Sequence, residues 1–387
     1  MDSMDSLDNW VTALATATLD TTNFSSGNAA INVVQHATGD FSTLQKSSIS
    51  YDFSDADFVE FNVWVNQTLD QLPALTVYLF TLPSSKYFQA AINATQLVQG
   101  YNRIRLYKKD FSVNGGAVWS DPILRVKFAV GAGNPNIGNM TFDNLQKGYR
   151  GVPKAIFVFD DGFQTLYYNA YPIMSAAGFR GNCALISSTV QGVNVNYMRK
   201  STTDTLYSAG WDMCNHTTNH VYLTQQADNG LVELQGCKNW LNSCGYTRAS
   251  DVVVYPYGDV NALVVAAAKS LGYNTGIIAG GGARALYTNA MPCQYSDKYN
   301  LLRVPLGYGV LTVAQIKGYI DQAILHGDTI IFMAHNIIPS GCSTSNDYLI
   351  SDFQTIVNYV KASGIDVVTV SEWANGMTNP RKQVNRS

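Results

Sequence analysis

The sequence has no long apolar run. Nowhere in its 387 residues do about 20 consecutive apolar positions occur, the length a bilayer-spanning helix needs, so no membrane insertion is expected. Charge of one sign is missing too. Lys and Arg number 25 against 28 Asp and Glu, and no basic run stands out, which argues against nucleic acid as a partner. The N-terminal MDSMDSLDNW lacks the basic and apolar regions of a signal peptide. No C-x-x-C pair occurs and all six cysteines follow residue 180, which speaks against a structural zinc site built on thiolates. Cys237 and Cys244 are near enough for a local bridge, although free buried thiols explain the set equally well. Histidine is scarce, with five residues. Two of them nevertheless share one short segment, HTTNH, as His216 and His220. On a helical turn, positions i and i+4 lie on one face and can hold one ion, whereas a loop pair is usually chance.

A chain of this length exceeds one ordinary core, so two domains are expected. Residues 1–148 contain FVEFNVWVN, ALTVYLFTL, YNRIRLYKKDF and ILRVKFAV, short segments rich in Val, Ile, Tyr and Phe that alternate in polarity. Turn-forming Asn, Gly, Asp and Ser clusters separate them, and helical periodicity is almost absent. That pattern predicts an all-β antiparallel β-sandwich, ending in a linker through TFDNLQKGYRGVPK. From 149 to 387 the rhythm changes. Buried strands such as KAIFVFDDG, GNCALIS and DTIIFMAH alternate with helical segments such as NALVVAAAKSLGY and VAQIKGYIDQAILHG. An α/β fold follows, with a parallel β/α barrel ahead of an open doubly wound sheet.

Barrel enzymes carry their chemistry at the C-terminal ends of the strands. Here those ends read Asp160-Asp161-Gly162, Asn215-His216, Tyr255-Pro256-Tyr257-Gly258, Arg303 and His335. Adjacent buried carboxylates repel unless a cation or proton intervenes, while on a plain β-turn they are merely two exposed acids. A divalent metal held by one Asp and two His keeps positions open for water and substrate. The other Asp then serves as base, and His335 can deliver a proton to a leaving group.

FVFDDG, HTTNH, YPYG and IIFMAH resemble, in order and approximate spacing, the motifs of the polysaccharide deacetylases, carbohydrate esterase family 4. The resemblance spans about residues 153–375 and implies a distorted (β/α)7 barrel that removes N- or O-linked acetyl groups from an acetylated polysaccharide. Carried over, it makes Asp160 the general base and Asp161, His216 and His220 the ligands of a divalent metal, usually Zn2+. His335 becomes the general acid, Tyr257 the donor of a backbone N–H to the oxyanion, and Met333 an apolar contact for the acetyl methyl. The family's usual arginine would fall at Val254; a subgroup has a later LxR strand instead, which NLLRV resembles, so Arg303 is expected to pair with Asp160. The family also gives the acid histidine an Asp partner. Asp366 is a candidate for it, or else simply a strand-start residue.

The N-terminal half resembles galactose-binding-like jelly rolls, on its strand pattern and MTFDNLQ, which implies sugar binding, a spacer, or a surface for oligomerisation. A sugar-directed enzyme with no visible leader is expected outside the cell, either as a phage virion component or as a secreted protein. Two rival readings remain: a non-catalytic glycan-binding protein with a relict barrel, and a hydrolase of a non-sugar amide or ester. His36 and His326 have no comparable company, and the Gly280–Gly282 run lacks a phosphate-loop lysine, so a barrel-mouth loop is expected there.

Overall fold

The computed structural model describes the chain except residues 25–26, 38–40, 67–73, 94–96, 98, 132–137, 149–150, 280–297, 300 and 378–387. The Gly280–Gly282 run and Cys293 therefore lie outside the described residues. Among the described residues the chain divides between Arg150 and Gly151 into two compact units. No helix among them is long and apolar enough to cross a membrane.

The first unit is a β-sandwich. Its strands are β1 (Trp10–Ala13), β2 (Ala15–Asp20), β3 (Ala30–Gln35), β4 (Ser42–Tyr51), β5 (Phe58–Val65) and β6 (Ala74–Phe80). They continue as β7 (Tyr87–Ile92), β8 (Gly100–Tyr107), β9 (Ser112–Asn114), β10 (Ile123–Gly131) and β11 (Asn139–Gly148). One sheet runs β1-β4-β10-β6-β7-β9 and the other β2-β3-β11-β5-β8, with antiparallel pairing throughout. The period of two explains the core. Val59, Phe61, Val63 and Val65 of β5 face Val126, Phe128 and Val130 of β10, all buried. Phe128 packs its ring 4.9 Å from Phe61 and 4.9 Å from Phe142. On the other side of β5, Glu60 is buried with Arg103 and Arg105 of β8, bonded to both guanidiniums and to Gln146 Nε2 at 2.6 Å.

The second unit is a parallel barrel with helices outside. Strands β12 (Lys154–Phe159), β13 (Asn182–Leu185), β14 (Asp212–Asn215), β15 (Val252–Val254), β16 (Thr275–Ile277), β17 (Val304–Pro305) and β18 (Thr329–Ala334) pair in the order β16-β15-β14-β13-β12-β18-β17. The segment around β17 touches both edges of this sheet. Leu301 exchanges hydrogen bonds with Gly276 and Ile278 at 3.0 and 2.9 Å, and Val304 pairs with Phe332. That double attachment draws the short β16 and β17 together into a distorted seven-stranded barrel. Beyond β18, β19 (Asn336–Ile338) and β20 (Asp347–Leu349) form a separate parallel pair. Strand β21 (Asp366–Val367) pairs with the first two residues of β12.

The helices are α1 (Tyr171–Ala177), α2 (Ser187–Gln191), α3 (Lys200–Ser208), α4 (Leu231–Ser243), α5 (Ala262–Ser270), α6 (Val313–His326), α7 (Ile350–Ser363) and α8 (Val370–Met377). Helix α1 covers only the C-terminal half of the segment TLYYNAYPIMSAAG. A π-helical segment, Leu166–Ala170, precedes it, and Pro172, which has no N–H to donate, stands in its first turn. Helix α8 plugs the N-terminal end of the barrel with Val370 and Trp373. Its first N–H groups, which no helix can satisfy internally, donate to Asn182 Oδ1 and Asp212 Oδ2 at 2.8 and 2.9 Å. Cys183, Cys214 and Cys237 are free and buried, and Cys244 is free and half-buried, so the local Cys237–Cys244 bridge does not form.

Candidate metal centre

Strand periodicity aims most of the site. Ile156 and Val158 of β12, Cys214 of β14, Leu301 and Ile331 of β18 share the apolar cluster inside the barrel. Two residues on from Val158, Cys214 and Leu301, and four on from Ile331, come Asp160, His216, Arg303 and His335. Alternation therefore turns these four toward the interior, where the apolar filling stops. Met333 stands between Ile331 and His335 on the same face and is half-buried.

Asp161 is out of phase, and strand geometry alone would point it the other way. Its backbone leaves the strand with φ +68°, the left-handed region that costs a non-glycine residue about 1–3 kcal/mol. Thr217, His220 and Tyr257 also have positive φ, at 66°, 57° and 59°. Four such residues around one site mark a backbone bent to bring side chains together.

The result is a convergence of three donors. His216 Nε2 lies 3.3 Å and His220 Nε2 3.2 Å from Asp161 Oδ1. That oxygen is buried and makes no hydrogen bond, although two ring nitrogens face it. His216 Nδ1 is 2.6 Å from the Val254 carbonyl, which fixes the proton on Nδ1 and leaves Nε2 as a lone-pair donor. Asp161, His216 and His220 thus offer one carboxylate oxygen and two imidazole nitrogens, all within 4.8 Å of one another. An orphaned carboxylate oxygen facing two imidazole nitrogens is an arrangement a divalent cation would complete, and three protein ligands would leave coordination positions open.

Asp160 stands beside this cluster in a different environment. Arg303 donates Nη1 to Oδ1 at 2.7 Å and Nη2 to Oδ2 at 2.8 Å, while its Nε donates to the Ile278 carbonyl at 3.0 Å. Burial pushes the Asp160 carboxyl up, but Arg303, then His216 and His335, outweigh it and hold the group at about 2. His335 Nε2 lies 3.9 Å from Asp160 Oδ2. Burial likewise pushes Asp161 up and His216 down, and their mutual attraction reverses both shifts. His220 is lowered by burial and by His216.

HTTNH does not form a helical turn. It is a loop leaving β14, and positive φ at Thr217 and His220, not the i,i+4 geometry of a helix, brings the two rings to 4.8 Å. Each spacer residue has a partner. Asn215 Oδ1 accepts from Thr217 N at 2.8 Å, and Thr217 Oγ1 accepts from His220 N at 2.9 Å. Thr218 Oγ1 donates to the Glu233 carbonyl at 3.1 Å, and Asn219 donates N and Nδ2 to the Glu233 carboxylate, both at 2.8 Å. Helix α4 carries Glu233, and Gly236 lets the loop approach it: a Cβ there would sit 2.7 Å from Thr218 Oγ1.

Tyr257, in the turn after Pro256, is exposed and stacks on Tyr222 with centroids 4.0 Å apart; its ring lies 4.5 Å from that of His220. Asp366 is elsewhere. It pairs with Lys154 at the start of β12, the opposite end of the barrel from His335, and so it is a strand-start residue. His36 lies in the first unit, exposed, 2.9 Å from Thr16 Oγ1.

Residues 147–276 match the family model described as polysaccharide deacetylase. That stretch is a polysaccharide deacetylase domain. The match contains Asp160, Asp161, His216, His220 and Tyr257 and stops before Arg303, Met333 and His335, which the barrel nevertheless carries at the same strand ends. The deacetylase domain is 26% identical over 131 residues to the poly-β-1,6-N-acetyl-D-glucosamine N-deacetylase of Staphylococcus epidermidis, covering 30% of this chain. The alignment spans 45% of that relative, so the chain accounts for less than half of its length. Among solved structures, the chain is similar to the Streptomyces lividans family 4 carbohydrate esterase in complex with acetate. Identity is 16%, coverage 56% of this chain and 91% of that one, and the TM-score 0.37. It is also similar to the family 11 carbohydrate-binding module of Clostridium thermocellum in complex with a β-1,3-1,4-mixed-linked tetrasaccharide. There the identity is 12%, coverage 38% and 94%, and the TM-score 0.32.

Sequence patterning does not single out helix α4, because LVELQGCKNWLNS mixes polar and apolar residues around a mid-helix glycine. With it go Glu233 and Gly236, whose roles depend on a loop folded against the helix. The only hint in the sequence is the glycine, which costs a helix stability and so calls for a packing reason.

Proposed function

We propose that this chain hydrolyses N- or O-linked acetyl groups on a polysaccharide with the help of a divalent metal. The observation that carries this reading is the pairing of two acids in one barrel mouth: Asp161 with two histidines, and Asp160 with Arg303. One acid lies among metal donors and the other does not, which is the division of labour that metal-assisted hydrolysis needs.

Asp161, His216 and His220 would hold the cation, and zinc suits this nitrogen-rich donor set. Bound there, it supplies Lewis acidity to a carbonyl oxygen and acidifies a water. Asp160 stays ionised across the working pH range and accepts the water proton, its orientation fixed by the two-pronged Arg303 contact. His335 gives a proton to the departing amine or alkoxide oxygen of the sugar. The Tyr257 N–H donates to the developing oxyanion, and Met333 lines the space for the acetyl methyl. The substrate chemistry follows the family, whose Staphylococcus epidermidis member deacetylates an N-acetylglucosamine polymer.

The test is acetate release from chitooligosaccharides, acetylated xylan and acetylated bacterial capsular glycans, with metal content measured on the same samples. Activity that disappears in Asp160→Ala while metal content is retained supports the reading. Full activity in that variant, or no acetate from any acetylated glycan with metal bound, overturns it.

A further inference from the structure

The first unit has two faces, and the outer face of the β1-β4-β10-β6-β7-β9 sheet carries a cluster of cations and aromatic rings outside the apolar core. On β10, Val126 and Phe128 point into the core, so Arg125 and Lys127 point out. On β6, Leu79 and Val77 point into the core, which puts Tyr78 and Phe80 on the other face, Tyr78 half-buried and Phe80 buried beneath Arg125; on β7, Phe88 points in, and Tyr87 and Gln89 are half-buried on that same outer face. Strand register aligns these residues into two rows. Arg125 stands beside Phe80 and Phe80 beside Tyr87, while Lys127 stands beside Tyr78 and Tyr78 beside Gln89. The patch crosses three strands, roughly 10 Å.

Within it the cations lie on rings. The Arg125 guanidinium carbon is 3.7 Å from the Phe80 centroid and Lys127 Nζ is 4.3 Å from that of Tyr78. Tyr87 adds a third ring, 5.2 Å from Phe80 and 5.9 Å from Tyr78. No carboxylate belongs to either row, and the β4 residues opposite Arg125 and Lys127 are Ser47 and Gln45. Among the described residues neither cation has a salt bridge. Arg125 Nε is buried and has no hydrogen-bond partner.

From this arrangement we propose that the outer face of this sheet is a binding site for an anionic polysaccharide. The half-buried rings of Tyr78 and Tyr87 offer apolar surface to the C–H faces of sugar rings, with Phe80 packed beneath Arg125 as support. Gln89 and the tyrosine hydroxyls match sugar hydroxyls, and the two cations supply counter-charge for uronate, phosphate or sulfate groups. Two observations favour this occupant over others. A second copy would bring Arg125 and Lys127 against their own like charges, and a nucleic-acid surface would need a broader basic patch than a chain of net charge −3 displays. The inference goes beyond the hydrolase reading, since binding here needs no metal and no acetyl group.

Affinity electrophoresis of the full chain through gels containing polygalacturonate, dextran or single-stranded DNA tests it. Retardation by polygalacturonate and not dextran is expected, weakened by salt. The double variant Arg125→Gln/Lys127→Gln, and separately Tyr78→Ala, should weaken it by at least about tenfold, with circular dichroism unchanged. Asp161→Ala, which removes a metal donor, should be retarded like the wild type. Loss of retardation in Asp161→Ala alone would assign binding to the barrel and overturn the proposal. Equal retardation by DNA, unaltered retardation in both sandwich variants, or a concentration-dependent dimer abolished by them would overturn it as well. A variant that loses its circular dichroism is replaced by Lys127→Gln alone, read against the same criteria.

Discussion

Arg303 grips both carboxylate oxygens of Asp160, at 2.7 and 2.8 Å, with both residues buried. A planar fork makes this contact and a lysine ammonium cannot, so Arg303→Lys keeps the charge but loses the aim. We expect acetate release in Arg303→Lys to fall about 10–100-fold with metal content intact, as when a supporting partner of a metal site is removed. Arg303→Ala strands a buried carboxylate and should cost about 3–5 kcal/mol of stability as well. Wild-type kcat in Arg303→Lys would remove the arginine from the mechanism.

Asp161, His216 and His220 meet only in the folded chain, so a metal they hold must stabilise that fold. Adding a strong chelator should lower the melting temperature of the wild type and leave that of Asp161→Ala or His220→Ala where it was. Zinc added back should restore the wild type alone. Identical melting curves with and without chelator would show that this trio holds no metal.

Much of this site was legible because strands count in twos. Once KAIFVF, WDMCN and DTIIFMA are read as buried parallel strands, Asp160, His216 and His335 fall at their ends, and the structure has them facing inward. Asp161 was legible only through a motif, because its position depends on a left-handed backbone that no alternation rule contains. HTTNH shows the limit from the other side. Its spacing suits a helix, yet the chain makes a loop, and the histidines meet through backbone bends and a hydrogen bond from His220 N to Thr217. Asp366, the candidate partner for His335 that the family resemblance suggests, is put by strand pairing at the far end of the barrel. The sandwich rows required strand register, which polarity patterns along single strands do not supply.

The Glu233 side chain reaches the HTTNH loop through Asn219, its carboxylate accepting from the Asn219 N–H and side-chain amide at 2.8 Å each. It is a positioning residue. Glu233→Ala should weaken metal affinity about 10–100-fold while leaving the fold intact, and Glu233→Gln, which keeps an acceptor, should recover part of it. Gly236→Ala should act in the same direction by forcing Thr218 off its bond to the Glu233 carbonyl. Titration with zinc against a competing chelator reads both effects; unchanged affinity in all three variants would leave Glu233 with a surface role.

In the sandwich, Glu60 is buried between Arg103 and Arg105. Burial pushes its carboxyl up, and the two guanidiniums more than reverse this, so the folded value lies below the usual glutamate range. A group depressed by folding adds stability above its unfolded pKa, about 4.3, and loses it as pH falls through the folded value. Stability of the first unit should therefore decline on acidification below about pH 4.3. Glu60→Gln should lower stability at pH 7 by about 3–5 kcal/mol, because two buried cations lose their counter-charge. It should also flatten the acid limb, since the variant has no carboxylate left to protonate there. Calorimetric melts of the full chain at pH 7 and pH 3.5 compare the two; parallel losses in wild type and variant would place the acid sensitivity elsewhere.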